Sequence, residues 1–173
     1  IGGSFTWGAE CWQGKLGTSW RYKERGCSWV WRFRHWLEDA FPTAEIEFLD
    51  WIQDGTPACA HLPVLPTLLG ALKDPVDVVI IDTLVNGLAQ DAEEDSVCLE
   101  SILLTLHEIT PDTAVFTVLA ASPAAATATA SSRSAIRSEE AALRHYGLPF
   151  LNAVDVALGM PEFWVPRVAT HPT

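Results

Sequence analysis

Residues 76–83 read VDVVIIDT, and every residue in that run except the two aspartates is β-branched. Such side chains crowd a helix and sit well on a pleated surface. A run that is apolar on both faces suits a strand covered on both sides, as in a parallel sheet. Working outward, residues 114–121 (AVFTVLAA) form a second buried strand, and residues 148–154 a last short one. Between them, helical spacing predicts a helix over 95–109, with Val97, Leu99, Ile102, Leu103 and Leu106 inward. A second helix is predicted over 134–146, with a polar Arg/Glu face and Gly147 as its stop. Upstream, residues 65–72 read as a short apolar helix approached through Pro63 and Pro66. Residues 44–51 alternate, Ile46 and Phe48 against Glu45 and Glu47, which predicts a half-buried strand. Residues 27–41 read as a helix with Trp29, Phe33, Trp36, Leu37 and Ala40 on one face, and residues 2–7 as a strand end turning into a loop.

Strands and helices thus alternate, with connections too long for hairpins. That pattern implies an α/β fold, a parallel sheet with helices on both faces. Sites in such sheets lie at the carboxyl ends of the strands, here just after Gly3, Trp51, Thr83, Ala121 and Val154. The Ala/Ser/Thr-rich stretch 120–134 reads as a flexible surface loop.

The chain has 173 residues, which fits one domain at about 100–200 residues per domain. Half the residues are hydrophobic (49%) and few are charged (19%), so a sizeable core is expected. With 11 Lys and Arg against 22 Asp and Glu, the net charge is -11. That balance argues against nucleic acid and anionic membrane surfaces, which need clustered cations. No apolar stretch reaches the roughly 18–20 residues that span a bilayer. The start at Ile1 and the stop at Thr173 read as truncation at both ends, with a strand expected in front and a helix behind.

Cys11, Cys27, Cys59 and Cys98 allow two disulfides in three connectivities. Buried free thiols and a Cys11–Cys27 bridge are both open readings. The even count permits disulfides and neither Asn86 nor Asn152 sits in a sequon, so the compartment stays open, with the secretory pathway or the extracellular space slightly favoured. There is no C-x-x-C pair, and Cys59 with His61 lacks further metal ligands at suitable spacing, so neither metal nor organic cofactor is implied.

Four features stand at the strand ends. Ser4 follows Gly2-Gly3, where backbone N–H groups favour negative charge; a nucleophile, a capping serine and a phosphate loop are all open. The phosphate loop is poorly supported, since Ala9-Glu10 stands where Lys-Ser/Thr is required. Asn86 follows the VDVVIIDT strand and either aims its amide at developing negative charge or serves as a turn residue with Gly87. Gly55 lies in the loop after the second strand, and its N–H is a second donor or a plain turn. His171 stands beside Pro172; His35, His61, His107 and His145 are less well placed.

In this order, the blocks IGGSFTWG, DGTPA, DVVIIDTLVNG and THPT resemble those of the SGNH (GDSL-type) hydrolase superfamily. The resemblance implies a three-layer α/β/α sandwich around a flavodoxin-like parallel sheet. It implies Ser4 as nucleophile, His171 as general base, and an oxyanion hole made by Ser4 N–H, Gly55 N–H and the Asn86 side chain. The substrate it implies is a small-molecule or carbohydrate ester. Three departures stand out. Gly3 replaces the family's Asp before the Ser, Gly87 replaces the Asp after the Asn, and Val168 occupies the position of the triad acid. Asp155 or Glu162 is then left to supply the carboxylate, unless His171 works without one. The rival reading is a catalytically degenerate binding module on the same fold; a nucleotide-binding domain is weaker.

Tryptophan is concentrated early, seven of eight at or before residue 51. Trp29 and Trp36 share the helix face and read as core. Trp7, Trp12 and Trp20 follow Ser4, either lining a groove for sugar rings or acyl chains or packing their own loop. Arg21, Lys23, Arg25, Arg32 and Arg34 read as a solvated face.

Overall fold

The computed structural model describes residues 1–3, 6, 28–53, 55–88, 92–121 and 129–159. In chain order the elements are α1 (Trp29–Ala40), α2 (Ala58–His61), α3 (Leu65–Gly70), β1 (Val78–Ile81), α4 (Leu84–Gly87), α5 (Ala92–Ile109), β2 (Ala114–Leu119), α6 (Ala130–His145), β3 (Phe150–Asn152) and α7 (Ala153–Gly159).

The three strands form a parallel sheet in the order β1-β2-β3, with Ile81 opposite Thr117 and Leu119 opposite Asn152. Gly2 extends it by parallel bridges to both Asp82 and Ile52. Across the molecule the order is therefore 51–53, 1–3, β1, β2, β3, with a reversal at residues 1–3. This is the flavodoxin-like order, in which ligands bind where the winding direction changes. Right-handed crossovers put α2, α3, α5 and α6 on one face and α1 on the other. The contacts of α5 with α2, α3 and α6 agree. Ile81, Leu99, Ile102, Leu106, Leu119 and Leu143 lie fully buried between β1, β2, α5 and α6. Among the described residues no helix is long and apolar enough to cross a membrane.

Several expectations are corrected. Residues 44–51 alternate in burial as read, yet form no strand. Pairing there is confined to Gly2, whose N–H donates to Trp51 O and whose carbonyl accepts from Gln53 N, both at 3.0 Å. Alternation reports one-sided burial, which a neighbouring helix supplies without a ladder: the Arg34 guanidinium of α1 lies 5.1 Å from the Phe48 ring. Trp29 and Trp36 are not core. Trp36 is 59% exposed and stacks on Phe33, while Trp29 is half-buried. Helical spacing identifies a stripe but not what covers it. Val97, too, faces outward on α5, 54% exposed. Of the basic residues, Arg34 pairs with Glu38 at 2.9 Å on the exposed side of α1, and Arg21, Lys23 and Arg25 lie outside the described residues.

Helix α6 starts four residues earlier than its apolar pattern indicates. Thr129 caps it, its hydroxyl oxygen accepting from Ser132 N at 2.9 Å, so the end of the Ala/Ser/Thr-rich stretch is helix and not loop. Gly147 does end it, with φ 64° and Leu148 N donating to Leu143 O. The expected strand over 148–154 is shorter, because Asn152 caps α7: its side-chain oxygen accepts from Asp155 N at 2.9 Å. Cys59 and Cys98 form a disulfide joining α2 to α5, so they are not free thiols. Cys11 and Cys27 lie outside the described residues.

Candidate functional site

The carboxyl end of β1 and the segment 1–3 meet at one place. Asp82 N donates to Ile1 O at 2.9 Å and Gly3 N to Asp82 O at 3.2 Å. Thr83 then opens α4, a single turn that carries Asn86. The Asn86 amide nitrogen donates to Thr56 O at 3.2 Å. Three segments distant in sequence are thereby joined: the one before Ser4, the one after Gly55, and α4. The amide nitrogen carries two hydrogens, of which this bond uses one.

Gly3 explains itself here. A Cβ on residue 3 would lie 1.9 Å from the Asn86 amide nitrogen. The aspartate that the resembled family has at this position does not fit with Asn86 where it is, and glycine permits the close approach. Gly55 has φ 68°, a left-handed conformation that glycine adopts without strain, and stands exposed in the loop leading to Thr56 and α2.

Asp155 lies in the first turn of α7, just past the carboxyl end of β3, with an exposed side chain. A carboxylate there complements the helix dipole. Ser4, His171, Glu162 and Val168 lie outside the described residues, as do Trp7, Trp12 and Trp20.

Further buried polar residues lie around this junction, and of these only His61 was weighed from the sequence. Asp82 is fully buried, and its Oδ2 accepts from Thr6 Oγ1 at 2.8 Å and Trp29 Nε1 at 2.9 Å. Burial raises its pKa, and the two hydrogen bonds oppose that rise. An acidic residue ending an otherwise apolar strand was the available signal. His61 is buried on α2, where its Nδ1 accepts from Trp51 Nε1 at 3.1 Å; burial lowers its pKa to about 4, so the ring is neutral at pH 7. Behind α4, Asp95 of α5 and Glu139 of α6 meet in the core. Burial raises both carboxyls, and for Glu139 the neighbouring Asp95 adds to the rise. The polar-face reading of α6 is therefore corrected at Glu139, which is 1% exposed.

No protein-family model and no curated protein matches the chain. Among solved structures, the chain is similar to AlinE4, described as an SGNH-hydrolase family esterase, with TM-score 0.68 at 15% identity over 100% of this chain and 84% of that one. Two alanine variants of the same esterase, one at an aspartate and one at a serine, match with TM-scores of 0.67 and 0.68 at 16% identity and the same coverage. The fold is SGNH-hydrolase-like, a mixed α/β architecture on a parallel sheet.

Proposed function

We propose that the chain is a serine hydrolase that cleaves a carboxylic ester. The observation that carries this reading is the meeting of Gly3, Thr56 and Asn86 at the carboxyl end of the sheet. The residue after Gly3 is Ser4, and the residue before Thr56 is Gly55. An SGNH-hydrolase-like fold shared with an esterase supports it.

In this mechanism Ser4 Oγ attacks the acyl carbon while His171 takes its proton. Ser4 N–H, Gly55 N–H and the Asn86 amide stabilise the oxyanion. Collapse breaks the bond to the alcohol, which leaves with the proton from His171. Water, deprotonated by His171, then attacks the acyl-enzyme, and the carboxylic acid departs as Ser4 regains its proton. Asp155 or Glu162 would orient His171, since Val168 offers no carboxylate. A small acyl ester is the substrate class, including O-acetyl groups on carbohydrate, for which Trp7, Trp12 and Trp20 offer stacking surfaces.

Hydrolysis of p-nitrophenyl acetate tests the reading. The unsubstituted chain turns over, and Ser4→Ala and His171→Ala each abolish turnover while the thermal midpoint stays close. Turnover that survives Ser4→Ala contradicts it. One observation favours a second reading, a binding module on the same fold: Val168 at the triad-acid position. That reading predicts ligand binding unaffected by Ser4→Ala and no acyl-enzyme.

A further inference from the structure

We propose that Asp82 is a positioning residue that sets Ser4 against Asn86. This rests on the reading of Ser4 as the nucleophile. Asp82 binds the chain on both sides of Ser4. Its backbone carbonyl accepts from Gly3 N at 3.2 Å, and its carboxylate accepts from Thr6 Oγ1 at 2.8 Å. The same Oδ2 accepts from Trp29 Nε1 at 2.9 Å, and Ser28 Oγ donates to Thr6 O at 2.8 Å, so the start of α1 is tied into the same knot. Four residues beyond Asp82 stands Asn86, beside Gly3.

Packing alone does not call for this aspartate. Asp82 is fully buried, and an apolar side chain there would avoid the cost of burying a carboxyl group. What the carboxylate adds is an acceptor for two donors from two segments. Among the described residues, backbone pairing of residues 1–3 to the end of β1 runs through Asp82 N to Ile1 O and Gly3 N to Asp82 O. Gly3 and Thr6, on either side of Ser4 in the sequence, are thus tied to the strand that leads into Asn86.

The test compares Asp82→Leu and Thr6→Ala with the conservative Asp82→Asn and Thr6→Ser. Asn keeps an oxygen able to accept from both donors, and Ser keeps the hydroxyl. Three readouts are taken: the rate at which a fluorophosphonate labels Ser4, kcat and KM on p-nitrophenyl acetate, and the indole N–H resonance of Trp29. Misplacing a reacting group by about 1 Å costs on the order of 10²-fold. Asp82→Leu and Thr6→Ala are expected to lower kcat and labelling by about that factor with KM nearly constant. Asp82→Asn and Thr6→Ser restore most of the rate. The Trp29 resonance moves in Asp82→Leu and stays near its place in Asp82→Asn. If Asp82→Leu does not fold, Thr6→Ala and its Ser rescue carry the test. Equal labelling of the unsubstituted chain and Thr6→Ala, or a loss that falls on KM, overturns the proposal alone. Absence of any label on the unsubstituted chain overturns the nucleophile reading, and this proposal with it.

Discussion

Asn86 and Gly87 are neighbours on one helical turn, and they face opposite kinds of polar chemistry. Asn86 is half-buried at the sheet's carboxyl end, where a neutral carbonyl, Thr56 O, takes one of its hydrogens. Gly87 is buried against Asp95: a Cβ there would lie 1.7 Å from the Asp95 carboxylate. Asp95 in turn meets Glu139, and both carboxyls are raised by burial. Both sides use a glycine for close approach, Gly3 in front and Gly87 behind. In front, the bond from Asn86 to Thr56 O joins two neutral groups and does not itself titrate. The back holds two acids in an apolar layer, where charge is costly. The difference separates positioning from stability: one face of α4 sets where a donor points, and the other sets how pH loads the fold.

Removing the donor should have the largest effect. Asn86→Ala is expected to lower kcat on a p-nitrophenyl ester by about 10²–10³-fold, the range for deleting one oxyanion-hole donor. Its thermal midpoint should move little, since Asn86 is only half-buried and a neutral hydrogen bond contributes about 1 kcal/mol. A kcat within threefold of the unsubstituted chain would break the comparison on the front side. Gly87→Ala acts on the back. The added methyl meets carboxylate oxygens in the core, and overpacking of this kind costs about 1–3 kcal/mol. Urea denaturation should show that loss; full retention of stability would mean that α4 and α5 separate freely.

The smallest effect is a pH dependence. In the folded chain Glu139 keeps its proton at pH values where the unfolded chain, with a usual value of 4.5, has released it. Folding then takes up a proton, so this group's contribution weakens as pH rises above 4.5. Glu139→Gln removes the liability and lets an amide donate to Asp95. Its thermal midpoint should exceed that of the unsubstituted chain at pH 8, with the advantage shrinking toward pH 4.5. A midpoint lowered equally at every pH would contradict the account of the back side.

Legibility in the sequence follows the same division. The strand 78–81 was readable because β-branched residues fill it on both faces, and helices α5 and α6 because their apolar spacing is regular. Asn86 was readable by its place after that strand, whereas Gly55 was read as following a strand that is reduced to a single bridge at Ile52. The ladder at 44–51 was misread because periodicity reports burial and not hydrogen bonding. Glu139 was misread as surface because a charged residue on a helix is normally solvated; its partner Asp95 is distant in sequence. The Cys59–Cys98 disulfide was hidden for the same reason, since only the packing of α2 on α5 brings the two together. Asp82 was in view at the end of its strand, but its two donors, Thr6 and Trp29, come from segments that no local pattern links to it.

The central proposal is that Ser4 is an activated nucleophile working with the Asn86 amide. A fluorophosphonate reacts covalently with such a serine, and mass spectrometry locates the adduct. The account predicts a single adduct on Ser4 in the unsubstituted chain, lost in His171→Ala and slowed in Asn86→Ala. A folded chain that takes no adduct, or takes it elsewhere than Ser4, would contradict it.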